Sequence, residues 1–187
     1  MRCTNLAAGL LFLLILSGCS SPPVRFHTLM QPAETGEPAP NQISIHVDSV
    51  SVPAPVDRTE LVVRQGPTDL LLLSSDWWGA SLSEEIRSAL TARLAGTGQE
   101  ETAFAARIEV TRFDVRAGQG AWLEARYRLR STGSDDRHSL TCATRLYTEA
   151  ESRVESLVQA QQTNLEALAR QMLVAAKGLT AGNNCPS

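Results

Sequence analysis

The sequence predicts an α/β domain at the α+β border, with a single mixed β-sheet of about five to six strands flanked by two main helices. Three observations predict it. Apolar residues alternate along several segments, as half-buried strands require. Two other segments carry apolar residues at helical spacing. One of those helices falls between two strand segments, where it can serve as a crossover between parallel neighbours.

The chain of 187 residues opens with Met1-Arg2 and an eleven-residue apolar run, Leu6 to Leu16. That run is too short to span a bilayer, which takes about 20 residues, but it suits a secretory signal. Leu16-Ser17-Gly18-Cys19 follows. A cysteine directly after Leu-Ser-Gly reads as a bacterial lipobox. There Cys19 takes acyl chains, palmitate among them, and the signal is cut before it. An ordinary secretory signal with an incidental Cys19 is the alternative. Three segments result: 1–18 as lipoprotein signal peptide, 19–41 as lipidated N-terminus and Pro-rich tether, and 42–187 as one domain. Pro22, Pro23, Pro32, Pro38 and Pro40 favour extended conformations in the tether. Within it, 24–30 alternates and forms a short docked strand in one reading. In that case the free leash is Ser20–Pro23, with a reach of about 14 Å.

Ile43, Ile45 and Val47 alternate, and Val50 and Val52 continue in the opposite phase, so a strand with a bulge near Asp48-Ser49 is expected. Leu61–Arg64 and Leu70–Leu73 flank Gly66-Pro67 and read as a hairpin of buried strands. Ser81-Leu82-Ser83-Glu84 reads as a capping box opening a helix through Ile86, Ala89, Leu90 and Leu94, ended by Gly96 and Gly98. That helix is the crossover to a parallel strand over 103–115, in which Phe104, Ala106, Ile108 and Val110 alternate and Phe113 and Val115 continue in the other phase. A turn at Ala117–Gly120 leads to the clearest strand. One of its faces is Ala121, Leu123, Ala125, Tyr127 and Leu129; the other is Trp122, Glu124, Arg126, Arg128 and Arg130. Such alternation sets one face towards water or a partner. Leu140, Cys142, Thr144 and Leu146 continue the meander. A long helix from about Glu151 to Lys177 closes the chain, with Gly178 at its end. Gln159, Gln161, Gln162 and Asn164 mark an exposed turn within it.

Removing the first 18 residues leaves 169, with 16 basic against 20 acidic side chains, a net of −4. A mildly acidic chain without a basic block argues against nucleic acid as partner. It also leaves membrane attachment to the acyl chains. Of the four cysteines, Cys3 leaves with the signal and Cys19 is lipidated. Cys142 and Cys185 remain, and export permits a disulfide between them; a buried Cys142 with a free Cys185 is the other reading. Ser20, where a retention signal would place Asp, favours the periplasmic face of the outer membrane.

Val50-Ser51-Val52-Pro53, then Asp57-Arg58-x-x-Leu61-Val62-x-Arg64, then Trp77-Trp78 with Leu82 form a pattern. It resembles the ABC-transport auxiliary lipoproteins, the PqiC/YmbA-like family. Arg25-Phe26-His27-Thr28-Leu29 is similar to the family's opening, with His27 in place of a second aromatic. The long helix after the Tyr147 strand agrees too. The resemblance implies an outer-membrane lipoprotein that faces the periplasm and supports envelope integrity. It implies an MCE-domain protein of a lipid-transporting ABC system as partner, and a fold like the anticodon-binding or TolB N-terminal arrangement.

No catalytic constellation assembles, so the chain reads as non-enzymatic, with neither cofactor nor metal. His27, His46 and His138 are scattered, and Ser83 stands where a nucleophile elbow needs glycine. Candidate partner-binding residues are Asp57, Arg58, Arg64, Trp77, Trp78 and Trp122. Each also has a structural reading. Asp57-Arg58 can be a turn, Arg64 can pair with Asp69, and one of Trp77 and Trp78 can enter the core while the other faces outward. Trp122 can stack on Arg126 and Arg128. Docking to a ring-shaped partner implies a homo-oligomer. The alternative function is a lipid-binding carrier, which needs an apolar cavity.

Overall fold

The computed structural model describes residues 23–31, 43–96, 102–133, 139–180 and 185–186. Cys19, Gly98, Asp135, Asp136, His138 and the prolines from Pro32 to Pro40 lie outside them. Among the described residues, seven strands and two helices follow in the order β1 (Arg25–His27), β2 (Ile43–Ser51), β3 (Glu60–Arg64), β4 (Leu70–Trp78), α1 (Leu82–Leu94), β5 (Thr102–Arg116), β6 (Gly120–Ser131), β7 (Ser139–Thr148) and α2 (Val154–Thr180). The α+β class is as read from the sequence.

The strands divide into two mixed sheets, where a single sheet was expected. One has the order β1-β4-β3 and the other β2-β5-β6-β7. The expected parallel pairing of β4 with β5 does not form, because both edges of β5 are taken. β2 runs parallel along one edge and β6 antiparallel along the other. β4 pairs instead with β3 and, in parallel, with β1. Helix α1 therefore carries the chain from one sheet to the other.

Two phase slips in the sequence are bulges. The β2–β5 register shifts between Val47 and Ser49, and the β5–β6 register between Val110 and Arg112. The hairpin β3–β4 forms, but Leu71 and Leu72 are 40% and 42% exposed. β1 reaches only Asp76–Trp78 of β4, so the Leu70–Leu73 end has one neighbour and less cover than the sequence suggested.

One face of the four-stranded sheet packs on both helices. Phe104, Ala106, Ile108, Leu123, Tyr127 and Leu129 are buried there with Leu90, Leu94, Leu165, Leu168 and Met172. Burial raises the Tyr127 phenol to about 12. Gln161 and Asn164 belong to this interface and form no exposed turn; both are fully buried. Carbonyls near the ends of β5 and β6 face α2, and these amides satisfy them. Gln161 donates to the Asp114 and Trp122 carbonyls, and Asn164 donates to Ala121 and accepts from the Thr148 hydroxyl.

The capping box does not form. Ser81 holds the N-cap position without a side-chain cap bond, and its carbonyl accepts from Glu85. Asp57, 26 residues earlier, reaches over to accept from the Ser83 N–H at 3.1 Å. Glu84 pairs with Arg87 instead. Helix α2 runs through Gly178 to Thr180. Cys142 and Cys185, 43 residues apart, form a disulfide that ties the segment after α2 to β7. A closed loop of that size contributes about 4 kcal/mol in the chain-entropy account.

Candidate docking surface

Because side chains alternate along a strand, burying one face of β6 sends every second residue to the other. Arg126, Arg128 and Arg130 are all exposed on it, as are Thr141, Ala143 and Arg145 on β7 and Arg107 and Glu109 on β5. Cross-strand pairing sets Arg107 directly opposite Arg128 and Glu109 opposite Arg126. Arg107 and Arg128, as like charges in that position, repel, whereas Glu109 and Arg126 attract. The carboxylates nearby engage weakly: Asp48 stands 3.9 Å from Arg107 and Glu124 3.8 Å from Arg145. Asp48, Ala105, Arg107, Arg128 and Arg130 line a depression of about 320 Å³. An otherwise acidic chain therefore gathers cationic, multidentate donors on one open sheet face, which suits an anionic or acidic partner.

This face ends in an aromatic cluster. The Trp122 ring lies 4.9 Å from Tyr147, and the guanidinium groups of Arg112 and Arg116 stand 5.2 and 5.4 Å from its centroid. Both arginines come from the adjacent β5, so Arg126 and Arg128 are not the stacking partners. Gly120, with φ of 143°, makes the packing possible. A Cβ there would come within 2.4 Å of the Thr148 carbonyl and 2.8 Å of the Tyr147 ring. The Tyr147 hydroxyl donates to the Gln119 carbonyl.

Asp114 fixes the arginines beneath the cluster. It accepts from Arg64 at 3.0 Å and from Arg112 at 2.9 Å, and Arg112 also reaches Glu124 at 3.2 Å. Burial alone would raise the Asp114 carboxyl, but the two guanidinium hydrogen bonds and charges outweigh it and hold the pKa below the usual value. The network joins β3 of the small sheet to β5 and β6 of the large one.

The six candidate residues do not form one site. Arg64 and Trp122 meet through Asp114 and Arg112; Arg64 does not pair with Asp69. Asp57 caps α1. Arg58 stands 3.8 Å from Glu60. Trp78 is core, 3% exposed and edge-on to Phe113. Trp77 is half-buried, edge-on to Phe26 at 6.4 Å. Sequence reasoning missed Arg107, Arg112, Asp114, Arg116, Arg145 and Tyr147 as members of the face. Register alone brings them beside β6, although an Asp at 114 between Phe113 and Val115 was a signal that something pairs with it.

Two further arrangements bear on chemistry. His27 contacts Asp76 at 2.8 Å, but the Ser75 hydroxyl bonds the other Asp76 oxygen, so no base meets a nucleophile. Among the described residues no three His, Cys, Asp or Glu side chains converge to hold a metal. Between the small sheet and the start of α2, an open cleft of about 410 Å³ is lined by Val63, Leu71, Leu73 and Leu157, with Arg64 and Arg116.

A family model described as the ABC-type transport auxiliary lipoprotein component matches residues 27–173, well over half the chain. A crystal structure of an uncharacterised protein superimposes with a TM-score of 0.62 at 12% identity, covering 82% of this chain and 98% of that one. A protein from Xanthomonas campestris superimposes with a TM-score of 0.59 at 18% identity, covering 86% and 94%. At such identities the likeness concerns the fold alone. No curated protein sequence matches the chain.

Proposed function

The chain belongs to the ABC-type transport auxiliary lipoprotein family, and from that premise we propose that it docks a periplasmic MCE-domain protein at the outer membrane. Acyl chains on Cys19 hold it there, on the periplasmic side. Its work is non-enzymatic: it places the delivering protein at the target bilayer, and the ATPase of the transporter supplies the energy. A symmetric partner would be met by several copies of this chain arranged side by side. The observation that carries the reading is the uncovered arginine face of the four-stranded sheet. Arg107, Arg126, Arg128 and Arg130 have few carboxylates of their own, so an acidic patch on the partner would complete their pairing. Trp122 and Tyr147 at its end offer the aromatic contact on which interfaces commonly centre.

The test is co-purification of the lipidated protein from gently solubilised envelopes, with proteins and lipids identified together. Wild type should bring down an MCE-domain protein, and Arg126→Glu with Arg128→Glu should lose it while retaining the wild-type melting temperature. The second reading, a lipid carrier, is favoured by the leucine-lined cleft beside Arg64 and Arg116. Recovery of stoichiometric phospholipid with no protein partner would replace docking by carriage.

A further inference from the structure

We propose that the edge formed by Val24, Phe26 and Trp77 seats in the headgroup region of the phospholipid bilayer and sets the orientation of the domain. The inference rests on the reading of Cys19 as the lipid anchor and adds a second contact to it.

Val24, Phe26 and Met30 are three of the seven large hydrophobic residues exposed among the described residues, and all three lie within 23–31. Phe26 is 69% exposed. It pairs in register with Trp77, and the two rings meet edge to face. The indole N–H is satisfied within the fold, donating to the Ser74 carbonyl at 3.1 Å. Phe and Trp combine an apolar body with a preference for the membrane–water boundary.

The segment is also held firmly. Leu29 is fully buried; its N–H and the Thr28 hydroxyl both donate to Glu85, at 2.9 and 2.8 Å. Gln162 of α2 donates to the Thr28 and Met30 carbonyls. Arg25 and His27 converge on the buried Asp76, and Arg25 also pairs with Glu155, so the charges beside Phe26 are matched within the fold. The aromatic edge is thus presented on a fixed support and needs no ordering on contact.

Chain length supplies the partner. Four residues, Ser20–Pro23, separate Cys19 from Val24, and fully extended they reach about 14 Å. A domain of this size is about 40 Å across. The leash is shorter than half that width, so the β1 side is the side that can face the bilayer. The exposed apolar edge and the anchor therefore meet the same surface.

Full-length lipidated protein is incorporated into phosphatidylethanolamine–phosphatidylglycerol vesicles, with or without lipids brominated near the headgroup, and read by flotation and tryptophan emission. Flotation with quenching that falls by half or more in Trp77→Phe is expected. Phe26→Ser, an exposed change that keeps the anchor, should weaken quenching as well. Flotation with emission unaffected by bromine would overturn the seating and leave the anchor standing. Failure to float would overturn the anchor, and the seating with it.

Discussion

The two faces of the four-stranded sheet are built from alternate residues of the same strands, yet they are satisfied in opposite ways. On the helix-covered face, Phe104, Leu123 and Leu129 are buried, and the polar groups that enter find partners within the fold, as Gln161 and Asn164 do. On the open face, Arg107 faces Arg128, and the Asp48 carboxylate stands 3.9 Å from Arg107. The first arrangement is what folding alone requires. The second works against folding, since opposed like charges are destabilising. A face that costs stability and is covered by nothing among the described residues is what the proposed docking contact would use.

The contrast makes the covered face the costliest to disturb. Phe104→Ala removes a fully buried ring and should cost about 3–5 kcal/mol in urea denaturation, with an unchanged m-value. A loss under about 1 kcal/mol would mean that this face does not carry the core.

Asp114 sits on the open face but behaves as part of the fold, and it sharpens the comparison. Asp114→Asn should cost about 1.5–3 kcal/mol at pH 7, because Arg64 and Arg112 lose a charged acceptor. The carboxyl's folded pKa lies below its usual value. The stabilisation is therefore complete above the unfolded pKa of about 4 and fades as the pH falls through the folded value. Denaturation curves of wild type and variant should separate at neutral pH and approach one another in acid. A constant gap across that range would show that the loss comes from packing and not from charge.

How much of this was legible in the sequence depends on distance along the chain. The alternation of Ala121 to Arg130 shows both faces of β6 without any partner, and phase slips show the bulges beside Asp48 and Thr111. Nothing local shows which strand lies beside β5, so the single sheet and the crossover from β4 could not be distinguished from the observed pairing with β2. The same limit hid the site's chemistry. Local sequence pairs Arg64 with Asp69, five residues on, whereas its acceptor is Asp114, 50 residues on. Ser81 and Glu84 satisfied a local capping rule that Asp57 overrides from a distant loop. Gln161 and Asn164 looked solvated because their composition is polar; only the carbonyls of Asp114, Trp122 and Ala121 explain why a buried helix face carries them.

The smallest expected change in stability decides the most about the open face. Arg128→Ala removes one member of the Arg107–Arg128 pair and a side chain whose hydrogen bond goes to the Ser139 hydroxyl at 3.2 Å. An exposed substitution of this kind should alter stability by no more than about 0.5 kcal/mol, and relief of the repulsion pushes the change towards stabilisation. Salt separates that relief from other causes. The Debye length falls from about 30 Å at 0.01 M to about 3 Å at 1 M, so added salt should raise the melting temperature of wild type by screening the arginines, and raise that of Arg128→Ala less. If Arg128→Ala instead loses more than about 1.5 kcal/mol, the arginines belong to the fold as Asp114 does. The case for an external acidic partner would then lose its physical ground. If stability and its salt dependence behave as stated, any loss of partner capture in the Arg126→Glu, Arg128→Glu protein is attributable to the contact and not to unfolding.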